Sequence, residues 1–176
     1  MSDNEKLLSS KEIFRGRAVN LRIDTIEKKS GQVTTREIVE HQDCIAVVVV
    51  DNEDNILMVE QFRTPVNRVL LEIPAGGVKD GEEPEDCVRR ELQEEIGYLP
   101  RKLQRLGGFY AAPGYCSEYL HVFLATDLSE SRLIAEDTDE IEVVRIPVPE
   151  ILKMIDSGEI CDAKSIAGLL VYLGSR

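Results

Sequence analysis

The sequence has little that would attract a polyanion and nothing long enough to cross a bilayer. Its 21 lysines and arginines stand against 33 aspartates and glutamates, a formal net charge of −12. Nucleic-acid binding rests on clustered Lys and Arg that neutralise phosphates, so this balance works against broad attraction to nucleic acid and no nucleic-acid partner is expected. The longest uninterrupted apolar run, Ile45 to Val50, is far shorter than the roughly 20 residues of a membrane-spanning helix, and no membrane association is expected. The opening residues Met1-Ser-Asp-Asn-Glu-Lys lack the basic start and long apolar stretch of a secretory signal, which predicts a cytoplasmic protein. Cys44, Cys87, Cys116 and Cys161 lie far apart with no C-x-x-C pair. That spacing excludes a zinc knuckle or redox dithiol and leaves buried free thiols as the expectation. Internal repeats and low-complexity tracts are missing too. What remains is a 176-residue chain of 43% hydrophobic content, enough for one globular domain with a small appendage.

After a polar tail to about Ser10, the pattern predicts strands at Ile13-Phe14, Ala18 to Glu27 and Val33 to Val39, with a turn at Lys28 to Gln32. Cys44 to Val50 and Ile56 to Arg63, joined by the polar turn Asp51 to Asn55, read as two antiparallel core strands. A further strand is expected at Val69 to Ile73, after which Pro74-Ala75-Gly76-Gly77 breaks the chain. The acidic loop Lys79 to Glu83 then leads into a helix with Pro84 in its first turn. Val88, Leu92 and Ile96 give that helix one apolar stripe, and Gly97 suits the left-handed position after its end. Strands at Leu103 to Phe109, Tyr119 to Thr126 and Ile141 to Ile146 precede two closing helices, Pro149 to Ser157 and Asp162 to Leu173. The fold class is therefore α/β, a mixed β-sheet packed between helices in an α/β/α sandwich, with a small N-terminal antiparallel strand region. The division expected is a tail and strand region over 1–40 and a main domain over 41–176.

The segment Gly76 to Tyr98 carries the chemistry. Glu91 and Glu95 are four residues apart and share a helix face, with Glu94 beside them, about 6 Å apart along the axis for the outer pair. A Glu-rich helix face is most often simply solvated. Packed carboxylates repel one another, however, and hard oxygen donors of this kind suit Mg²⁺. The spacing of Gly76, Glu82, Arg90, Glu91, Leu92, Glu94, Glu95, Gly97 and Tyr98 matches G-x5-E-x7-R-E-U-x-E-E-x-G-U, where U is a bulky apolar residue. In this the chain resembles the Nudix hydrolases, with aromatic Tyr98 in the last apolar slot as a mild departure.

The resemblance implies the Nudix fold and metal-dependent cleavage of a nucleoside diphosphate linked to another group. It makes Glu91, Glu94 and Glu95 the metal ligands, joined by the backbone carbonyl of Ala75, with Mg²⁺ as cofactor and Mn²⁺ as a substitute. Arg90 would orient the carboxylates, Glu82 would be an outer partner, and Gly76 would let the backbone turn closely beneath the metal. The metal would neutralise phosphate oxygens and lower the pKa of the attacking water.

Outside that box, Gln61-Phe62-Arg63 with Pro65 and Leu71-Glu72-Ile73-Pro74-Ala75-Gly76 resemble the patterns of ADP-ribose pyrophosphatases. Ala112-Pro113-Gly114-Tyr115 followed by Glu118 is similar to their S-P-G-[FY]-x-x-E segment, with Ala112 in place of serine. The implied reaction is hydrolysis of ADP-ribose to AMP and ribose 5-phosphate. GDP-mannose, ADP-glucose or an oxidised nucleoside diphosphate are the alternative substrates, and a non-catalytic nucleotide-sensing Nudix module is the alternative of another class. Arg63 would clamp phosphate, because an anionic substrate must be neutralised in an acidic protein. Glu72 would bind ribose hydroxyls or order the metal shell, Pro113 and Gly114 would wall the sugar pocket, and Glu118 would touch the terminal ribose or be structural. The general base would come from the acidic stretch Leu128 to Glu140, with Glu140 first and Asp139 and Glu136 behind it. His41 and His121 are expected to be structural, and Tyr110 and Tyr115 to pack or to stack on a base. Similar enzymes form homodimers that exchange N-terminal strands, which makes the 1–40 region the expected dimerisation and adenine-binding element.

Overall fold

The computed structural model describes residues 5–135 and 141–176. Two compact units emerge from the chain, one formed by the residues up to Asp43 with Tyr110–Tyr119, the other by Cys44–Phe109 with Leu120–Arg176.

The first unit is built on a three-stranded antiparallel sheet, β1 (Glu5–Arg15), β2 (Asn20–Lys28) and β3 (Val33–Glu40), in that spatial order. Strand β1 begins at Glu5, where the sequence suggested a tail running to about Ser10. Its register with β2, from Glu5 opposite Lys28 to Arg15 opposite Asn20, supplies backbone hydrogen bonds that composition does not advertise. Every residue of β1 is exposed, so no alternation of buried and exposed positions marks it. The segment around Pro113 is tied to β3: Val39 N donates to Tyr115 O at 2.7 Å, and Ser117 N donates to Val39 O at 3.0 Å.

The second unit is organised by a seven-stranded mixed sheet. Its strands are β4 (Cys44–Val50), β5 (Asn55–Arg63), β6 (Arg68–Glu72), β7 (Ala75–Gly77), β8 (Tyr98–Tyr110), β9 (Tyr119–Glu130) and β10 (Glu142–Pro147). The main path runs β10-β5-β4-β9-β8, with β6 on β5 and β7 on β4. The pairing of β4 with β9 is parallel and the others with a defined register are antiparallel, which makes the sheet mixed. The expected break at Pro74 to Gly77 contains a short strand: after Pro74, which lacks an N–H, Ala75–Gly77 pairs with Cys44–Ala46.

Strand β4 is buried along its whole length and alternates its side chains between two cores. Ile45, Val47 and Val49 meet Val88, Leu92 and Ile96 of helix α1 (Pro84–Glu95) and its end. Ala46, Val48 and Val50 face the other way, toward Ile151 of α2 (Ile151–Ser157) and Leu169 and Tyr172 of α3 (Ala163–Gly174). Helices on both faces of one sheet give the expected α/β/α sandwich. Full burial of each large aliphatic side chain contributes about 1.5–3 kcal/mol, so the α1 stripe alone anchors that helix against the sheet.

Of the four free cysteines, Cys44 and Cys87 are buried as expected, but Cys116 is only half-buried and Cys161 is exposed. Among the described residues, no helix is long and apolar enough to cross a membrane.

Candidate active site

Helix α1 presents the chemistry because its two faces divide cleanly. Pro84 takes its first position, where a missing N–H costs nothing, and Glu85 and Asp86 complement the positive end of the helix dipole. The Val88–Leu92–Ile96 stripe binds the sheet and turns Arg90, Glu91, Glu94 and Glu95 toward a cavity of about 310 Å³. The helix ends where Ile96 N donates to Leu92 O and Gly97 takes a φ of +75°, a left-handed conformation that glycine adopts without steric cost.

Arg90 organises the cluster. It forks onto Glu82, Nε to Oε1 at 2.8 Å and Nη2 to Oε2 at 2.9 Å, while Nη1 donates to Glu91 at 2.5 Å and to Glu94 at 3.2 Å. Nη2 also reaches the carbonyl of Gly77 at 3.2 Å, which fixes α1 to the loop before it. The hydrogen bonds from Arg90, with one from the Lys79 amide, hold the Glu82 carboxyl down to about 2 against the upward push of burial. Glu82 is thus the orienting partner of Arg90, and its own oxygens are taken up in that role.

Glu91 and Glu95 behave oppositely. Burial raises Glu91, and Arg90 only partly offsets the rise. Burial, then the neighbouring Glu91 charge, pushes Glu95 up to about 8, although the Ala75 amide donates to its Oε2 at 3.3 Å. A pair of half-buried carboxylates whose burial outweighs the positive charge beside them is a ready site for a divalent cation, and the donors are hard oxygens. Gly76 explains how they fit: a Cβ there would lie 2.1 Å from Glu91 Cδ.

The same cavity is lined by Gln61 and Arg63 from β5, Lys79, Ala135 and Ile141. Arg63 forks onto Glu72, Nε to Oε1 at 2.9 Å and Nη2 to Oε2 at 2.6 Å. Glu72 is only 2% exposed and also accepts from Lys164 Nζ. Burial pushes this carboxyl up, but the Arg63 and Lys164 contacts outweigh it and hold the group low. Glu72 is therefore embedded in an ion-pair network behind Arg63.

The structure brings Arg63, Ala75, Arg90, Glu91, Glu94 and Glu95 round one cavity, with Gly76 packed beneath Glu91. Pro113, Gly114 and Glu118 belong to the other compact unit. There the turn closes through Tyr115 N to Ala112 O at 3.1 Å, and Glu118 O accepts from Ala111 N at 3.1 Å. The Glu118 carboxylate lies 3.8 Å from His41 Nδ1. Glu140, Asp139 and Glu136 lie outside the described residues. Lys79 and Lys164 escaped the sequence reading; Lys79 sits in the acidic loop without a distinguishing neighbour, and Lys164 meets Glu72 only through a separation of 92 residues.

The NUDIX domain family profile matches residues 40–168. The chain is 42% identical to the ADP-ribose pyrophosphatase of Bacillus subtilis strain 168, over 92% of this chain and 88% of that protein. It is 38% identical to a methanol dehydrogenase activator of Bacillus methanolicus, over 92% and 89%. It is 36% identical to a GDP-mannose pyrophosphatase of Yersinia enterocolitica serotype O:8, over 72% and 71%. Among solved structures, an ADP compounds hydrolase superposes with a TM-score of 0.90 at 19% identity, covering 98% of this chain and 94% of that one, which is a likeness of fold.

Proposed function

The chain belongs to the Nudix family of hydrolases, and from that premise we propose that it hydrolyses the pyrophosphate bond of ADP-ribose, giving AMP and ribose 5-phosphate. The observation that carries this reading is the carboxylate cluster of α1 lining one cavity with Arg63, in a chain 42% identical to an ADP-ribose pyrophosphatase.

Glu91, Glu94 and Glu95, with the carbonyl of Ala75, would hold Mg²⁺, for which Mn²⁺ could substitute. When bound, such an ion supplies positive charge to the phosphate oxygens and acidifies the attacking water. The protein's own groups do the rest. Arg90 orients Glu91 and Glu94 through its Nη1 hydrogen bonds. Arg63 clamps a phosphate oxygen and offsets substrate charge in a protein of net charge −12. Glu140 would take the proton from water. Pro113, Gly114 and Glu118 would serve the sugar, as their likeness to the S-P-G-[FY]-x-x-E segment implies. Glu72 serves by ordering Arg63.

We read the location as cytoplasmic, with no nucleic-acid or membrane partner. The 1–40 region would pair two copies as a homodimer and help hold the adenine, and the 41–176 region would carry catalysis. Exposed Leu7, Leu8, Ile13 and Phe14 on β1, an edge strand, support the pairing. Sedimentation equilibrium at the mass of a single chain would contradict it.

A second reading, GDP-mannose as substrate, is favoured by the GDP-mannose pyrophosphatase likeness. A panel of ADP-ribose, ADP-glucose and GDP-mannose at one Mg²⁺ concentration separates the two. The expectation is a higher kcat/KM for ADP-ribose. A clear preference for GDP-mannose overturns the assignment, and binding without turnover points to a sensing module.

A further inference from the structure

The ion network behind Arg63 joins two cations, Arg63 and Lys164, to two carboxylates, Glu72 and Asp162. Glu72 Oε1 accepts from Arg63 Nε, and Oε2 accepts from both Arg63 Nη2 and Lys164 Nζ. Arg63 with Glu72 alone would form a neutral pair, and a neutral pair attracts an anion weakly. Lys164 changes that sum. Its further contact, Asp162 Oδ1 at 2.8 Å, is to a carboxylate already engaged by the start of α3, where the Ser165 amide donates to Asp162 Oδ2 at 3.0 Å and the Ser165 hydroxyl to Oδ1 at 2.6 Å. The helix N-terminus thus stabilises part of the Asp162 charge, leaving Lys164 to offset Glu72.

Geometry assigns the direction of the effect. The Arg63 side chain is 40% exposed and lines the cavity, whereas those of Glu72 and Lys164 are 2% and 18% exposed. Among the described residues, no protein acceptor is bonded to Arg63 Nη1. A fork held at Nε and Nη2 keeps Nη1 aimed in a fixed direction, and a second cation on the same carboxylate keeps the fork from being electrostatically spent. The network is also rigid at its far end, because Ile73 N donates to Ser165 Oγ at 2.8 Å, tying the start of α3 to the residue that follows Glu72.

We propose that Lys164 is a positioning residue for the substrate pyrophosphate: by sharing the buried Glu72 carboxylate it leaves Arg63 a net cation at the cavity wall. The inference rests on the reading of Arg63 as the phosphate clamp.

The test measures kcat and KM, with ADP-ribose or whichever nucleoside diphosphate sugar of the panel is turned over, for Lys164→Gln, Lys164→Arg and Arg63→Met. Calorimetric affinity for a methylene-bridged, non-hydrolysable analogue provides a readout independent of turnover. Lys164→Gln keeps a hydrogen-bond donor but removes the charge, and is expected to raise KM about tenfold with kcat within about twofold, with analogue affinity falling in parallel. Lys164→Arg keeps the charge and should hold KM near the parent. Lys153→Gln, on the exposed face of α2 and paired with Glu150, removes one positive charge elsewhere and should also leave KM unchanged. If Arg63→Met raises KM while Lys164→Gln leaves it near the parent, Lys164 merely fills a structural role and the proposal is overturned alone. If Arg63→Met leaves KM unmoved, the clamp reading fails and this inference falls with it. Lys164→Met, similar in length and likewise uncharged, leaves the Arg63–Glu72 fork in place and should raise KM to the same extent as Lys164→Gln. Should the Gln variant not fold, the Met variant decides the matter, and a KM near the parent contradicts the proposal.

Discussion

A methyl group at position 76 would have to occupy the space of the Glu91 carboxylate, since a Cβ there lies 2.1 Å from Cδ and 2.3 Å from Oε1. Gly76→Ala must therefore displace a cavity-facing carboxylate or the loop beneath it. Overpacking of this kind costs about 1–3 kcal/mol, and we expect kcat to fall about a hundredfold as the cluster loses its geometry. Parent-like kcat at saturating Mg²⁺ would show that Glu91 has no fixed place to keep. The Glu95 carboxyl makes a separate prediction through its protonation. Its ordinary value is 4.5 and the folded chain lifts it to about 8. Between those values the folded chain retains a proton that the unfolded chain has released, so stability falls as pH rises through that window. Glu95→Gln removes the loss. In chelator-containing buffer the variant should melt above the parent at pH 8, with the difference closing by pH 5; an equal difference at both pH values would show that Glu95 is not the group responsible. Glu82 carries the opposite sign, since a carboxyl held at about 2 by Arg90 contributes stability above its ordinary range and loses it as pH falls toward 2.

At the scale of elements, the start of α3 is fixed by a single side chain. Asp162 accepts from the Ser165 amide and hydroxyl and from Lys164. Asp162→Ala is expected to lower stability by about 1–2 kcal/mol, the usual cost of a lost N-cap, read as a shift of the urea midpoint. An unshifted midpoint would mean the helix start is held by packing alone. Some elements were legible before the structure. Strand β4 announced itself as a run of branched apolar residues, and α1 by the four-residue spacing of Val88, Leu92 and Ile96 between Pro84 and Gly97. Strand β1 was legible only at Ile13-Phe14, because its residues are all exposed and its stability comes from backbone pairing with β2. Strand β7 was masked by Pro74 and its glycines, residues that ordinarily end strands. The site divides in the same way. Fixed intervals within one helix made Glu91, Glu94, Glu95 and Arg90 readable. The Glu72–Lys164 contact joins β6 to α3 and left no local trace.

Over the whole molecule, an acidic chain of net charge −12 is matched to an anionic substrate only if positive charge is concentrated at the cavity. On the proposed reading, Arg63, backed by Lys164, and a divalent ion on the α1 carboxylates would supply it. The assignment of Tyr110–Tyr119 to the same compact unit as the N-terminal sheet was hidden in the sequence, since the bridge of Val39 to Cys116 spans much of the chain. The central claim is that clustered carboxylates on α1 make a pyrophosphate cleavable with a divalent ion. Product analysis of the purified protein with ADP-ribose and Mg²⁺, beside the Glu94→Gln, Glu95→Gln variant, tests it most directly. AMP and ribose 5-phosphate should form with the parent, and the variant should be slower by a factor on the order of a hundred or more. A variant that turns over as fast as the parent would contradict the account.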